Sequence, residues 1–306
     1  MSDRNGNSES FAGVYLPVTT PFDAVTGDVA PVHLRENLRR YAQEPVNGFV
    51  LFGSTGEGAM LDTDEKVRLA GFAREVVPPG MMLISGANTD STRGTIQEIR
   101  RLAAAGIEAV LVHTPVYFAP SLSHTAILDF FRAVGEESPV PVLVYHMPKF
   151  THVTIEPGLM GEITRLPNIA GLKDSSGDIR RFAGYTEMCP PTARLLVGSG
   201  ALFYAALELG AVGGILAVAD LAPAQCAEVY RAYRAGDSAR AGQLQEGLSG
   251  LHKDVVATFG ARGVKAGLDA MGWVGGPPRA PLPPLTEKEH KQVMHALQTL
   301  GLEATV

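Results

Sequence analysis

Ile169-Ala170-Gly171-Leu172-Lys173-Asp174-Ser175-Ser176-Gly177 is an apolar run that ends in a lysine, and the helix-like segment 179–188 follows it. In a strand, side chains alternate between the two faces, so Ile169, Gly171 and Lys173 share one face while Ala170 and Leu172 share the other. That parity sets an ammonium group against a core. Such a lysine is costly unless it is paired or deprotonated, and desolvation favours the neutral amine that can attack a carbonyl. The same residues also read as a strand end with a surface ion pair between Lys173 and Asp174.

Outward from this stretch the strand-then-helix unit recurs. Strand-like runs cover 13–19, 48–52, 82–85, 109–113, 140–145, 169–173, 194–197 and 214–218. Helix-like segments at 32–43, 64–76, 92–105, 126–136, 157–165, 179–188, 201–208 and 223–235 separate and follow them. Thr63 and Ser123 are placed to cap helix starts, and Gly106 and Gly210 to stop helices. Near-continuous apolar strands in this order predict a parallel sheet covered by helices. An open doubly wound sheet is the competing arrangement, but no GxGxxG or Walker-type loop follows the first strand. Eight units close a (β/α)8 TIM barrel, which is the predicted fold. Beyond about Gly236 the pattern becomes helical only, over 239–259, 264–271 and 286–300, broken by the proline-rich stretch 275–284. The expected division is a disordered tail over 1–10, a catalytic barrel over 11–235 and a C-terminal helical appendage over 236–306, with 275–284 extended along the surface.

The 306 residues are 45% hydrophobic and 19% charged, which is ordinary globular composition and long enough for a large core. A net charge of −6 without a Lys/Arg stripe argues against nucleic acid as a partner. No run approaches the roughly 20 apolar residues of a membrane span, and 1–10 has no apolar signal core. Cys189 and Cys226 form no CxxC pair, and His290 and His295 are five apart with no HExxH, so neither a disulfide framework nor a metal site is expected. A cytoplasmic location follows as an expectation.

A barrel of this kind carries its site where the strands end at their C-terminal edge. Those ends bring together Gly53-Ser54-Thr55-Gly56-Glu57, Thr114-Pro115-Val116-Tyr117, Tyr145-His146-Met147-Pro148, Lys173-Asp174-Ser175-Ser176 and 217–220. Leu143 and Tyr145 share a face, as do Gly171 and Lys173, so Tyr145 and Lys173 both point inward if Leu143 and Gly171 do. An interior lysine suits a Schiff base with a 2-oxo acid, whose iminium accepts electrons from the adjacent carbon. A neighbouring phenol, Tyr145, can carry the proton to and from substrate oxygen. The 53–56 turn offers backbone N–H groups and hydroxyls to a carboxylate, although it reads equally as a tight strand–helix loop. His146 is expected to point away from Tyr145. His113 reads either as a core histidine or as a border of the pocket, and Glu57 and Asp174 as supporting carboxylates or as local caps.

The stretches Gly13-Val14-Tyr15-Leu16-Pro17-Val18-Thr19-Thr20-Pro21-Phe22, Gly53-Ser54-Thr55-Gly56-Glu57, Tyr145-His146-Met147-Pro148 and Gly171-Leu172-Lys173-Asp174-Ser175-Ser176-Gly177 together resemble the dihydrodipicolinate synthase/N-acetylneuraminate lyase family of class I aldolases. The resemblance implies Lys173 as the Schiff-base lysine, Tyr145 as proton relay, and Ser54 and Thr55 as carboxylate-binding and relay hydroxyls. It also implies Tyr117 as a catalytic tyrosine lent across a subunit contact in a homo-tetramer. Gly53, Ser175, Gly214, Ile215 and Phe150 complete the substrate-binding candidates. Synthases of the family place an arginine shortly after the Tyr-x-x-Pro turn, where this chain has Phe150, and phenylalanine cannot supply a bidentate clamp for a carboxylate. The glycine-rich 210–214 stretch, Phe259-Gly260 with Gly263-Val264-Lys265, and the 275–282 stretch resemble 4-hydroxy-2-oxoglutarate aldolases and 2-keto-3-deoxy sugar acid aldolases.

The expected protein is a lyase without cofactor or metal that makes or breaks a C–C bond to pyruvate through Lys173. Its partner is a small aldehyde or 2-oxo acid, and its substrate is 4-hydroxy-2-oxoglutarate or a similar 2-oxo-4-hydroxy acid. The alternatives are a dihydrodipicolinate synthase, a 2-keto-3-deoxy sugar acid aldolase or dehydratase, and a catalytically silent protein that binds 2-oxo acids.

Overall fold

The computed structural model describes residues 11–87 and 89–302; the tail read over 1–10 and Asn88 lie outside them. Eight parallel strands close into a barrel in chain order: β1 (Gly13–Leu16), β2 (Gly48–Leu51), β3 (Met82–Gly86), β4 (Ala109–His113), β5 (Val142–His146), β6 (Ile169–Asp174), β7 (Arg194–Val197) and β8 (Gly213–Ile215). The ring shuts where Val14 of β1 lies opposite Gly214 and Tyr15 opposite Ile215. Helices Pro31–Tyr41, Thr63–Arg74, Thr92–Ala104, His124–Glu137, Pro157–Ile163, Ile179–Met188, Phe203–Glu208 and Pro223–Arg234 follow the strands in turn. This is the (β/α)8 barrel that the repeated unit predicts. Among the described residues no helix is long and apolar enough to cross a membrane.

Strand alternation divides the core in two. Tyr15, Val50, Ile84, Leu111, Leu143, Tyr145, Leu196 and Ile215 fill the barrel interior. Their neighbours Val14, Leu16, Phe49, Leu51, Val110, Val112, Val144 and Leu172 face the helices. Each such aliphatic side chain, fully buried, stabilises the fold by about 1.5–3 kcal/mol relative to exposure.

β6 departs from simple alternation. Val142 pairs with Ile169 but the next residue, Leu143, pairs with Gly171, so β6 carries an extra residue at Ala170. Ile169 therefore joins the outer layer and Ala170 the inner one, against the expectation that Ile169 shares a face with Lys173. A bulge resets parity upstream of itself only. From Gly171 on, the register holds, with Tyr145 opposite Lys173. Gly171 is required there because a Cβ would lie 2.0 Å from the Arg194 carbonyl oxygen.

Other boundaries shift for local reasons. β1 stops at Leu16 because Pro17 has no N–H for the ladder. Asp62, not Thr63, caps the second helix, accepting from the Glu65 amide while the Glu65 carboxylate accepts from the Asp62 amide. Ser123 caps its helix as expected, and Gly106 and Gly210 take the positive φ of helix ends, 96° and 98°.

After the last barrel helix come Ser238–Leu251, a π-helical turn His252–Ala257, and helices Ala261–Ala270 and Glu287–Thr299. The stretch 275–284 is not merely laid on the surface. Gly275 is buried, the Pro277 carbonyl accepts from Lys265 Nζ at 2.8 Å, and Arg279 forks onto Glu65 at 2.6 and 2.7 Å. The tail thus clasps the rim of the barrel above β2.

Candidate active site

Lys173, the last residue but one of β6, lies inside the barrel and is 5% exposed. Its Nζ lies 4.5 Å from the centre of the Tyr145 ring. Tyr145 Oη is in turn 3.2 Å from Ser54 Oγ, with either hydroxyl able to donate. Among the described residues Lys173 has no ion-pair partner, so the surface pairing with Asp174 does not form. Asp174 points to the other side of the sheet, where its Oδ1 meets His146 Nδ1 at 2.7 Å. His146 Nε2 accepts from the Ile155 amide, which leaves the proton on Nδ1 to be donated to Asp174. His146 therefore faces away from Tyr145, as its parity predicts.

The turn 53–56 is held in a costly shape. Phe52 and Glu57, at its two ends, adopt left-handed φ values of 56° and 53°, each costing on the order of 1–2 kcal/mol. Gly58 permits this, since a Cβ there would lie 1.9 Å from the Phe52 carbonyl oxygen. Buried Thr20 donates from Oγ1 to the Gly56 carbonyl at 2.7 Å. The turn leaves Ser54 exposed and Thr55 half-buried at the mouth of the barrel.

Gly53, Ser54, Tyr145 and Phe150 line a cavity of 470 Å³ at this mouth, together with His113 and with Glu57, which the sequence reads either as a supporting carboxylate or as a local cap. His113 Nδ1 sits 2.6 Å from the Thr114 carbonyl, and burial pushes its imidazole below the ordinary value. Ser175 lies beside the lysine stem: a Cβ on Gly198 would come within 1.9 Å of Ser175 Oγ and 2.9 Å of Lys173 Cε. Ile215 belongs to the interior packing below the site, and Gly214 lies against Leu216. Tyr117 is 77% exposed and stacks edge-on against Phe118, with ring centres 4.9 Å apart, so it stands outside the cavity of its own chain. A shallow hollow of 550 Å³ at the opposite end of the barrel, near Ala12 and Val212, holds none of the candidate residues.

The sequence model of the Dihydrodipicolinate synthetase family matches residues 10–300. The chain belongs to this family. It is 30% identical over 292 residues to the 4-hydroxy-tetrahydrodipicolinate synthase of Phenylobacterium zucineum (strain HLK1), covering 95% of this chain and 98% of that one. It is 31% identical over 294 residues to the synthase of the same name from Acidiphilium cryptum (strain JF-5), covering 96% and 100%. The crystal structure of dihydrodipicolinate synthase from Thermotoga maritima superposes with a TM-score of 0.91 at 26% identity, over 95% of this chain and 99% of that one.

Two groups were given no role from the sequence: Asp220, named there only within the strand end 217–220, and His252. Asp220, just beyond β8, is 1% exposed, and neither carboxyl oxygen has a hydrogen-bond partner among the described residues. Burial drives its carboxyl well above the ordinary range, while the charge of Lys173 pulls it back. A lone charge in the apolar run 211–222 was the signal for it. His252, from the tail, brings Nε2 to 3.4 Å from Ser199 Oγ, and burial pushes its imidazole down to about 4.

That shift makes stability depend on pH. The folded protein keeps His252 neutral, whereas the unfolded chain takes up its proton below the ordinary value of 6.5. Stability is therefore expected to fall as pH drops from 6.5 towards 4, by up to about 3 kcal/mol from this group. Asp220 works in the opposite sense, its folded state retaining a proton that the unfolded chain has lost. Urea titrations of His252→Gln beside the parent, across that pH range, isolate the histidine. An unchanged acid limb in the variant would contradict the assignment.

Proposed function

We propose that the protein makes or breaks a carbon–carbon bond to pyruvate through a Schiff base on Lys173. The observation that carries this reading is the buried lysine lying over the Tyr145 ring, with the tyrosine hydroxyl on Ser54. The neutral amine attacks the 2-oxo carbon, and loss of water leaves an iminium. Removal of a C3 proton then gives an enamine in place of an unstabilised carbanion. Tyr145 passes protons to and from the substrate oxygens, and Ser54 and Thr55 receive the pyruvate carboxylate.

For the second substrate, a 2-oxo-4-hydroxy acid such as 4-hydroxy-2-oxoglutarate would be cleaved to pyruvate and an aldehyde. The full-length similarity to proteins named 4-hydroxy-tetrahydrodipicolinate synthase favours a second reading, condensation of pyruvate with aspartate semialdehyde. The assembly proposed is a homo-tetramer in the cytoplasm, in which exposed Tyr117 reaches a neighbouring subunit. Borohydride reduction with pyruvate, followed by mass spectrometry, is expected to yield an adduct on the peptide bearing Lys173. Absence of that adduct would overturn the Schiff-base reading.

A further inference from the structure

We infer that the aldehyde joined to or released from pyruvate is uncharged and apolar, an aliphatic or aromatic aldehyde without a carboxylate of its own, in place of the glyoxylate that 4-hydroxy-2-oxoglutarate would release and of aspartate semialdehyde; this rests only on the Schiff-base chemistry proposed above. The aldehyde oxygen must sit where Tyr145 can protonate it, which places the rest of the molecule in the 470 Å³ cavity that Tyr145 and Ser54 border. Beyond those two hydroxyls, Met60, Val116, Met147, Phe150 and Leu282 supply the apolar wall. Leu282 comes from the tail, so the barrel and its last segment form this surface together.

The charged groups of the cavity are already committed. Among the described lining residues the one lysine or arginine is Lys66, whose Nζ lies 2.6 Å from Glu98 in a pair 5% and 1% exposed. Drawing Lys66 toward a ligand would break that buried ion pair. Glu57 is held by Lys265 at 2.5 Å. Asp90 accepts the Val116 and Tyr117 amides at 2.7 and 3.1 Å. Lys149, next to Phe150, is exposed and is not among the lining residues. A carboxylate-bearing aldehyde would thus be desolvated beside Glu57 and Asp90 with no unclaimed lysine or arginine among the described lining residues to meet it. An apolar body gains from the same walls in proportion to the area it covers.

The step balances without a further reactant. In synthesis, C3 of the enamine attacks the aldehyde carbon, its electron pair forms the new bond, and the alkoxide takes a proton from Tyr145. Water then hydrolyses the iminium to release a 4-hydroxy-2-oxo acid and the free lysine. Cleavage runs the same steps backwards, from hydroxyl deprotonation to protonation of the enamine at C3 and release of pyruvate.

The full-length protein is assayed with pyruvate and, separately, benzaldehyde, isobutyraldehyde, glyoxylate and aspartate semialdehyde, with kcat/KM read from product formation. At least one of the apolar aldehydes is expected to exceed both carboxylated ones on the order of ten- to a hundred-fold. Phe150→Arg, at a half-exposed position, is expected to narrow or reverse that ratio. Equal or better use of glyoxylate or aspartate semialdehyde by the parent overturns the inference, as does failure to turn over either apolar aldehyde. An unchanged ratio in Phe150→Arg overturns the cavity as the seat of the aldehyde. The borohydride adduct with pyruvate alone, measured on the same preparations, separates the two levels. An adduct with the wrong aldehyde preference removes this inference only, whereas no adduct removes the Schiff-base reading as well.

Discussion

Lys173→Ala is expected to leave the barrel folded and to lower turnover by roughly four orders of magnitude or more, the scale seen when a covalent nucleophile is removed. The fold should survive because Lys173 has no ion-pair partner whose charge would be stranded among the described residues; its loss leaves a gap beside Tyr145 and Ser175. Lys173→Arg makes the sharper comparison. Arginine keeps a positive charge against the Tyr145 ring and near Asp220 but is not deprotonated in proteins, so it cannot form the iminium. If the lysine served only as a fixed cation holding a carboxylate, the arginine variant would work within about ten-fold of the parent. On the covalent reading both variants fail alike and neither gives a borohydride adduct. Turnover by pyruvate release, with circular dichroism and thermal melts to establish folding, decides between these outcomes.

Tyr145 and Lys173 could be brought together from sequence because a strand's period of two fixes which side chains share a face, and because eight repeated units imply a closed interior. The bulge at Ala170 shows how narrow that inference is. Without it, Ile169 opposite Val142 would have set Lys173 opposite His146 and facing outward, and nothing in the local composition except Gly171 marks where the extra residue falls. Ser54 was legible from the glycines around it. The left-handed conformations of Phe52 and Glu57 were not, since neither residue type favours them. The tail was the least legible part. Composition marks 239–259, 264–271 and 286–300 as helical but carries no record of which barrel loop each segment meets, so His252 on Ser199 and Arg279 on Glu65 could be found only in three dimensions. The character of the aldehyde pocket lay in the same gap. Phe150 could be read from its position, but the pairing that silences Lys66 joins two helices through side chains that look solvent-facing in sequence.

Lys265→Ala is expected to destabilise the protein by about 3–5 kcal/mol, the cost of breaking a buried ion pair from one side. Lys265 and Glu57 are 1% and 0% exposed at the side chain, with Nζ and Oε1 2.5 Å apart. Burial pushes the lysine below its ordinary value and the Glu57 carboxylate holds it up. The lysine also lies 4.3 Å from the Phe22 ring centre, and the Arg279 amide donates to the other Glu57 oxygen at 2.8 Å. Without the lysine, Glu57 keeps one backbone donor and a charge in the interior. Because Glu57 closes the strained turn that presents Ser54 and Thr55, the damage should reach function as well as stability, raising KM for pyruvate. Replacing both partners by neutral groups, in Lys265→Met with Glu57→Gln, removes the stranded charge and is expected to recover a large part of the lost stability. KM should recover less, since glutamine at 57 has no cation pulling on it to hold the left-handed backbone. Urea unfolding midpoints and pyruvate saturation curves on the three proteins test this coupling. A single variant less than about 1 kcal/mol below the parent would mean that water reaches the pair and that the turn is held by Thr20 and Gly58 alone.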